Sequence, residues 1–383
     1  MPVDDSIAEG VNRATGVLPS QAIEKMVSGG RIRSRAPILP DQIQPSSIDL
    51  RLGSEAFRVR ASFLANGAVT ITGKLERYRL HTIDLTRPAV LEKGCVYIVP
   101  LQEELALPAH ISGKANPKSS TGRLDIFTRL ITDEGRQFEI VPAGYHGRLY
   151  AEVVPRTFSV VVREGERLSQ LRLFQGGHAP SDALLRQLEN EESLVYLPDE
   201  TRGEANIQNG LRLSVDLVGD IQGGGGANII GYRAKKHAPL IDLARLQHYD
   251  LDEFWDPIRR NDSLTLILDP EDFYILASRE RVRIPAQYAA EMVPFDATIG
   301  EFRIHYAGFF DPGFGYGSGD INGTRAVLEV RSHEVPFIME HGQVVASLVF
   351  ERLLERPRLL YGEGIGSSYQ RQGLKLSKHF RTS

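Results

Sequence analysis

Lys118-Ser119-Ser120-Thr121-Gly122-Arg123 packs two cations and three hydroxyls into six residues, and Pro117 and Gly122 mark it as a turn. Hydroxyls and backbone N–H groups bond phosphate oxygens, lysine adds a point charge and arginine a two-pronged fork, so the turn is a candidate phosphate cradle. The plain alternative is a polar turn that caps a helix. Glu152 and Glu329 each interrupt an apolar strand, in Tyr-Ala-Glu-Val-Val and Val-Leu-Glu-Val. A lone strand glutamate ordinarily faces water. Turned inward, it loses hydration, its pKa rises and it can move protons near neutral pH. Ala307-Gly308-Phe309-Phe310-Asp311-Pro312-Gly313-Phe314 sets an acid in a turn between aromatic residues able to wall a planar ligand. The matching stretch of the first half, Ile140–Tyr145, has Pro142 and no Asp. The run from Tyr361 to Gln372 is rich in glycine, hydroxyls and aromatics, the make-up of a loose end or of a flap that orders over a ligand.

The elements that must position these residues come in two copies. Leu91–Ala109 aligns with Leu268–Ala286 at a constant offset of 177, with Tyr97/Tyr274, Ile98/Ile275 and Glu103/Glu280 identical. The same offset carries Glu152 onto Glu329 and Gly165 onto Gly342. Ser47-Ile48-Asp49-Leu50 echoes Ser214-Val215-Asp216-Leu217, and Ile83-Asp84-Leu85 echoes Ile241-Asp242-Leu243, at other offsets. Ordered identities of this kind indicate a tandem duplication. Short Val/Leu/Phe-rich runs at Leu149–Val154, Phe158–Val162, Leu168–Phe174 and Gln343–Phe350 predict strands, broken by glycine turns. A sandwich or jelly-roll-like barrel is expected in each half. Two helices are predicted: Pro19–Ser28, with Ser20 as its cap, and Ser181–Glu192, with Ser181 as cap and a Leu184, Leu185, Leu188 stripe. The second helix divides the chain into domains at 1–185 and 186–383. Gly223–Gly226 lacks the Lys-Ser/Thr of a phosphate loop and reads as a flexible loop.

Composition narrows the chemistry. The chain has 383 residues, 42% hydrophobic and 25% charged, with 36 glycines and 21 prolines, an ordinary soluble balance that favours short strands and turns. A net charge of −4 supplies no basic field for nucleic acid, so any anion must be met by a local cluster. The polar, acidic start MPVDDSIAEGVNRATG and the lack of a long apolar run predict a cytoplasmic protein with no leader and no membrane partner. Cys95 is the single cysteine, which excludes an internal disulfide and the Pro-Cys-x-x-Cys zinc centre of one deaminase class. Neither Gly-x-Ser-x-Gly nor His-Glu-x-x-His occurs, and His333-Glu334 is only a dipeptide.

Together these pieces resemble the dCTP deaminase family of the dUTPase-like superfamily. Gln44-Pro45-Ser46-Ser47-Ile48-Asp49-Leu50-Arg51-Leu52-Gly53 is similar to the family's Gln-Pro-Ser-Ile/Val-Asp-Leu-Arg-Leu-Gly stretch, with one extra Ser. Lys118–Arg123 resembles its Arg-Ser-Ser-x-x-Arg phosphate motif with Lys in first place. Asp311-Pro312-Gly313 resembles its Asp-Pro-Gly turn, Leu328-Glu329 its catalytic-glutamate strand, and Tyr361 with Ser368–Gln372 its Tyr…Lys-Tyr-x-x-Gln flap. Ser368 replaces the flap lysine, which Arg371 or Lys375 is expected to offset.

The resemblance implies a mainly β fold of two tandem dUTPase-like β-barrel or jelly-roll domains with a few short helices. It implies hydrolytic, zinc-independent deamination of dCTP to dUTP and ammonia, with Glu329 as general base and acid and with Ser119 and Arg123 orienting water and stabilising charge. Nucleotide contacts then fall to Lys118, Ser119, Ser120, Arg123, Asp311, Val327, Tyr361 and Gln372. Mg²⁺ is expected on the triphosphate, with no protein metal site. Also implied are dTTP as an inhibitor and a homo-oligomer, trimeric or with its domains in a pseudo-trimer. The motifs are divided: the first half keeps the hydroxyl-rich turn, the second keeps Asp311, Glu329 and the flap and reads Pro294-Phe295-Asp296-Ala297-Thr298 where that turn should be. A hybrid site between the halves is therefore expected. The competing readings are a dUTP pyrophosphatase, a bifunctional enzyme forming dUMP, and a non-catalytic nucleotide sensor.

Overall fold

The computed structural model describes residues 14–65, 67, 69–133, 135–177, 181–219, 228–294, 302–304, 308–332, 334–362 and 369–381. Strands dominate them, and the α-helices are short: Ser20–Ser28, Ile71–Tyr78, Ser119–Gly122, Asp182–Glu192 and Leu251–Phe254. The Gly223–Gly226 loop, His333, residues 295–298 and Ser368 lie outside the described residues.

Duplication is written into the strand pairing. In the first half Arg79–Asp84, Glu55–Val59, Val96–Ala106, His146–Pro155 and Ile126–Thr132 neighbour one another in that order, with Ile32–Ser34 also on Val96–Ala106. In the second half Trp255–Arg259, Ile229–Ala234, Tyr274–Val282, Thr324–Ser332 and Phe302–Ile304 repeat the order, with Val195–Tyr196 on Tyr274–Val282. A further sheet recurs as well. Ile48–Leu50, Ser169–Gln175, Ile111–Pro117 and Ile140–Val141 in one half match Leu211–Ser214, Val344–Arg352, Tyr288–Pro294 and Phe309–Phe310 in the other. Even single bonds recur: the N–H of Glu92 donates to the Tyr97 hydroxyl and that of Asp269 to the Tyr274 hydroxyl, both at 2.9 Å.

Register corrects two of the sequence echoes. Ile48 pairs with Leu171 and Leu211 with Leu348, partners that are themselves 177 apart, so Ile48 matches Leu211 and not Val215. The backbone N–H groups of Arg51 and Ser214 likewise donate to the equivalent carboxylates of Glu103 and Glu280, each at 2.8 Å. Ile241–Asp242 is no copy of Ile83–Asp84, because it pairs in parallel with Val160–Val162 of the other half. A short apolar-acid-apolar echo arises easily by chance, whereas register is set by which face is buried. The Asp-to-Pro substitution, by contrast, is in frame. Ile140 lies opposite Lys114 and Phe309 opposite Glu291, equivalent partners, which puts Pro142 where Asp311 stands.

The helices differ from expectation in detail. Pro19 takes the extended cap position of Ser20–Ser28, and the Ser20 hydroxyl instead donates to the Gln21 side chain. Ser181 caps Asp182–Glu192 by accepting from the Leu184 N–H. Leu185 and Leu188 are buried in the second-half core, while Leu184 is 42% exposed because it falls outside the inward stripe.

The first-half core is completed by side chains from far along the chain. Phe158 packs edge-on against Phe254 and Trp255, and Phe380 closes on both at 5.4 and 6.0 Å between ring centres. Aromatic burial of this kind is worth several kcal/mol, and it ties down the C-terminal segment. His379 adds a second anchor, its ring nitrogens meeting the Ser377 hydroxyl at 2.9 Å and the Leu243 carbonyl at 3.1 Å. Burial pulls that imidazole down to about 4, so it anchors as a neutral ring.

Candidate active site

The short helix Ser119–Gly122 stands at the end of the strand Ile111–Pro117, entered through the extended Lys118. Its turn is closed by backbone bonds from Gly122 to Lys118 (3.0 Å) and from Arg123 to Ser119 (3.1 Å). Asp311 begins a turn that Gly313 completes at φ 96°, in the left-handed region. A side chain there would sit 2.9 Å from the Tyr361 nitrogen, so glycine is needed where the tail crosses the turn. Val327 and Glu329 lie two apart on the strand Thr324–Ser332 and therefore point to the same face.

The structure gathers these pieces around one cavity of about 320 Å³, within the range of small-molecule sites. Lys118, Ser119, Ser120 and Arg123 line it from the first half, and Asp311, Val327, Glu329, Tyr361 and Gln372 from the second. All the residues expected as catalytic groups or nucleotide contacts thus meet at this cavity, and Glu152 does not. That carboxylate is completely buried and paired with Arg129, whose Nε lies 3.0 Å and Nη2 2.5 Å from Oε1. The Arg129 guanidinium lies 3.4 Å from the centre of the Phe138 ring and 4.6 Å from that of Phe127.

No side-chain hydrogen bond neutralises Glu329 in this way among the described residues. Burial pushes its carboxyl up to about 8, opposed by the Arg123 charge and assisted by Asp125. Asp311 is also held above the usual carboxylate range by burial, against Arg172 and the Ser46 hydroxyl, which donates to Oδ1 at 2.6 Å. Arg123 is the hub of the far wall. Its guanidinium stacks 3.8 Å from the centre of the Tyr369 ring, and Nη1 donates to Gln372 Oε1 at 3.0 Å and to the Lys375 carbonyl at 2.7 Å. Gln370 fastens the same tail to the turn, donating to the Gly313 carbonyl and accepting from the Gly315 N–H, both at 2.9 Å. Phe309, Phe310 and Phe314 form an aromatic wall, and Tyr361 packs on Phe314 with ring centres 5.6 Å apart.

The replacements expected for the flap lysine are not at the cavity. Arg371 turns away to Asp320 at 3.0 Å, and the Lys375 ammonium lies over the Tyr369 ring. Lys378 and Arg167 front the cavity instead, beside Lys118, whose ammonium pairs with Asp49. Burial, followed by the Lys118 charge, lowers the Lys378 ammonium. No spacing rule marks Arg167 or Lys378, because chain crossings bring them there. Ser46 and Arg172 were likewise without a role in the sequence. Arg172 is completely buried and ties Ser46 (3.1 Å) and Glu351 (2.8 Å) across the two halves. Because Glu152 is walled in by Arg129, Glu152→Gln is expected to leave turnover within about twofold of the parent while costing about 1–3 kcal/mol of stability. Steady-state assay alongside denaturant unfolding checks both.

Fold and cavity define a duplicated, mainly β protein with a cavity lined by residues of both copies. The pattern of the 2'-deoxycytidine 5'-triphosphate deaminase (DCD) N-terminal domain matches residues 14–177, and that of the DCD C-terminal domain matches residues 181–380. The chain belongs to the 2'-deoxycytidine 5'-triphosphate deaminase family. A crystal structure of 2'-deoxycytidine 5'-triphosphate deaminase from Agrobacterium tumefaciens is 52% identical, with a TM-score of 0.83, covering 88% of this chain and 99% of that one. The dCTP deaminase of Pyrobaculum islandicum (strain DSM 4184 / JCM 9189 / GEO3) is 27% identical over 192 residues, which are 49% of this chain and 99% of the relative. That relative is therefore about half as long, the length of one copy. The "dCTP deaminase, dUMP-forming" of Corynebacterium diphtheriae is 30% identical over 143 residues, 36% of this chain and 71% of the relative.

Proposed function

We propose that this chain hydrolyses dCTP to dUTP and ammonia at the composite cavity, with Glu329 as the proton-transferring group. The observation that carries the reading is a buried carboxyl raised to about 8, set across one cavity from the hydroxyl-rich Lys118–Arg123 turn. In its ionised form Glu329 takes a proton from water, and the hydroxide adds to C4 of the cytosine. The carboxyl gives that proton to N3, then takes the proton of the new C4 hydroxyl and passes it to the amino nitrogen, which leaves as ammonia as the C4 carbonyl forms, so the group ends as it began. Ser119 and Arg123 orient the water and stabilise the charge that develops. Asp311, held by Ser46, fixes the base or sugar, and the Phe309–Phe314 wall with Tyr361 and Val327 excludes solvent. Lys118, Ser120, Gln372, Arg167 and Lys378 receive the triphosphate. Magnesium travels on the phosphates of the substrate, since the acids at that end, Asp41 and Asp49, are already paired with Arg167 and Lys118. A single cysteine in the chain supports a route without zinc.

The reading extends to each half as a dUTPase-like barrel, divided near residue 185, in a cytoplasmic, self-associating enzyme that dTTP inhibits. Incubation with dCTP and Mg²⁺, followed by ion-exchange separation, tests the activity. dUTP with ammonia is the expected result, dUMP with pyrophosphate adds a second reaction, and unchanged dCTP bound to folded protein overturns the deaminase.

The raised carboxyl also sets a pH profile. The base must be ionised, so kcat/KM is expected to climb about tenfold per pH unit below about 8 and to level off above it. A profile already flat at pH 6 would remove Glu329 from that role.

A further inference from the structure

Arg331 lies two residues beyond Glu329 on the same strand and face, and it reaches into the other half of the chain. Its Nε donates to Asp125 Oδ2 at 3.1 Å, its Nη2 reaches the same oxygen and the Thr157 hydroxyl (2.8 Å), and its Nη1 meets the Glu271 carbonyl. Asp125 is completely buried, Arg331 is 5% exposed, and no chain neighbour links them, for they are 206 residues apart. Asp125 itself closes the Lys118–Arg123 turn. Its N–H donates to the Gly122 carbonyl at 2.8 Å, its carbonyl accepts from the Arg156 N–H at 2.8 Å, and its φ of 55° is left-handed, a conformation that a non-glycine residue keeps only where its surroundings enforce it. In the first half the position equivalent to Arg331 is Val154, so that copy has no such arginine beside its walled-in Glu152.

We propose that Asp125 and Arg331 form a positioning strap that holds the Lys118–Arg123 turn in working register with Glu329. The two walls of the cavity come from separate copies of the fold, so nothing in the local backbone sets their spacing. The strap does so two residues away from the groups that matter on each side. Without Arg331 the buried aspartate loses its arginine partner two residues from Arg123 while keeping the donation from the Thr157 hydroxyl, and its charge then competes for the Arg123 guanidinium with Gln372 and the Lys375 carbonyl. A displacement of about 1 Å at a reacting centre is enough to cost about 100-fold in rate.

The inference rests on the deaminase reading, and the experiment separates the two. Arg331→Gln and Asp125→Asn, the latter chosen because asparagine accepts the left-handed conformation, are each compared with the parent for kcat, KM and thermal unfolding. Both are expected to lose about 10- to 100-fold in kcat with KM changed less than threefold. The double variant should be no worse than the poorer single, because one unit is broken once. Arg331→Lys should recover part of the rate by restoring charge without the fork. Hydrogen exchange of residues 118–124 is read in the same proteins and needs no turnover. It should quicken severalfold in Arg331→Gln while Ile111–Pro117 is unchanged. Full kcat in both single variants of the folded protein, additive losses in the double, or unchanged exchange in 118–124 would each overturn the strap. A parent that releases no ammonia from dCTP would instead sink the deaminase reading and leave the exchange result to decide the strap.

Discussion

Replacing Glu329 by glutamine is expected to reduce ammonia release from dCTP by about 100- to 10,000-fold, with KM little changed. The amide keeps the shape of the side chain and loses only its ability to take and return a proton. It also keeps the fold, and the direction of the stability change is fixed by linkage. The buried carboxyl has its pKa raised to about 8 from an ordinary 4.5, so the folded state binds more protons than the unfolded state between those values. Stability from this group is complete below about 4.5 and is lost as pH rises through about 8. Glu329→Gln removes that loss, so its melting temperature should match or exceed the parent's at pH 8.5 and lose this advantage near pH 4.5. An inactive variant that is also less stable at pH 8.5 would point to misfolding and not to lost chemistry. A variant that still deaminates at the parent's rate would end the assignment of the base.

The second large effect is expected at Arg123. Arg123→Lys retains the charge but cannot both stack on Tyr369 and reach Gln372 and the Lys375 carbonyl in one plane. A loss of about 100- to 1,000-fold in kcat is expected from the missing stabilisation of developing charge. Release of the tail should accompany it. Limited proteolysis should cut within 369–381 faster than in the parent, although Phe380 and His379 still anchor the far end. If the lysine variant lost activity while its tail stayed as protected as the parent's, Arg123 would act on the substrate without holding the flap.

Both effects fall on residues legible in the sequence, and the reason is local. A hydroxyl-rich turn needs consecutive residues, Asp-Pro-Gly is a turn wherever it stands, and a glutamate amid valines is conspicuous on any strand. The duplication was legible because the copies kept one offset through Tyr97/Tyr274 and Glu152/Glu329, and strand pairing follows that offset. The two short echoes failed for the opposite reason: three or four residues carry too little pattern to fix a register.

What the sequence determined alone is therefore the repeat, the predominance of strands, the identity of the chemical groups and their division between the halves. Only the tertiary structure decided which glutamate is paired and which lines the cavity. Glu152 and Glu329 have nearly the same strand neighbours, but Arg129 crosses to the first, while the second lies in a cavity without a hydrogen-bonded side-chain partner among the described residues. It likewise decided that Lys378 and Arg167, and not Arg371 or Lys375, face the cavity, and that Arg331 reaches Asp125. A side chain's pKa and partner depend on desolvation and on charges within a few ångströms. Those neighbours come from strands tens to hundreds of residues away, where spacing along the chain has no bearing.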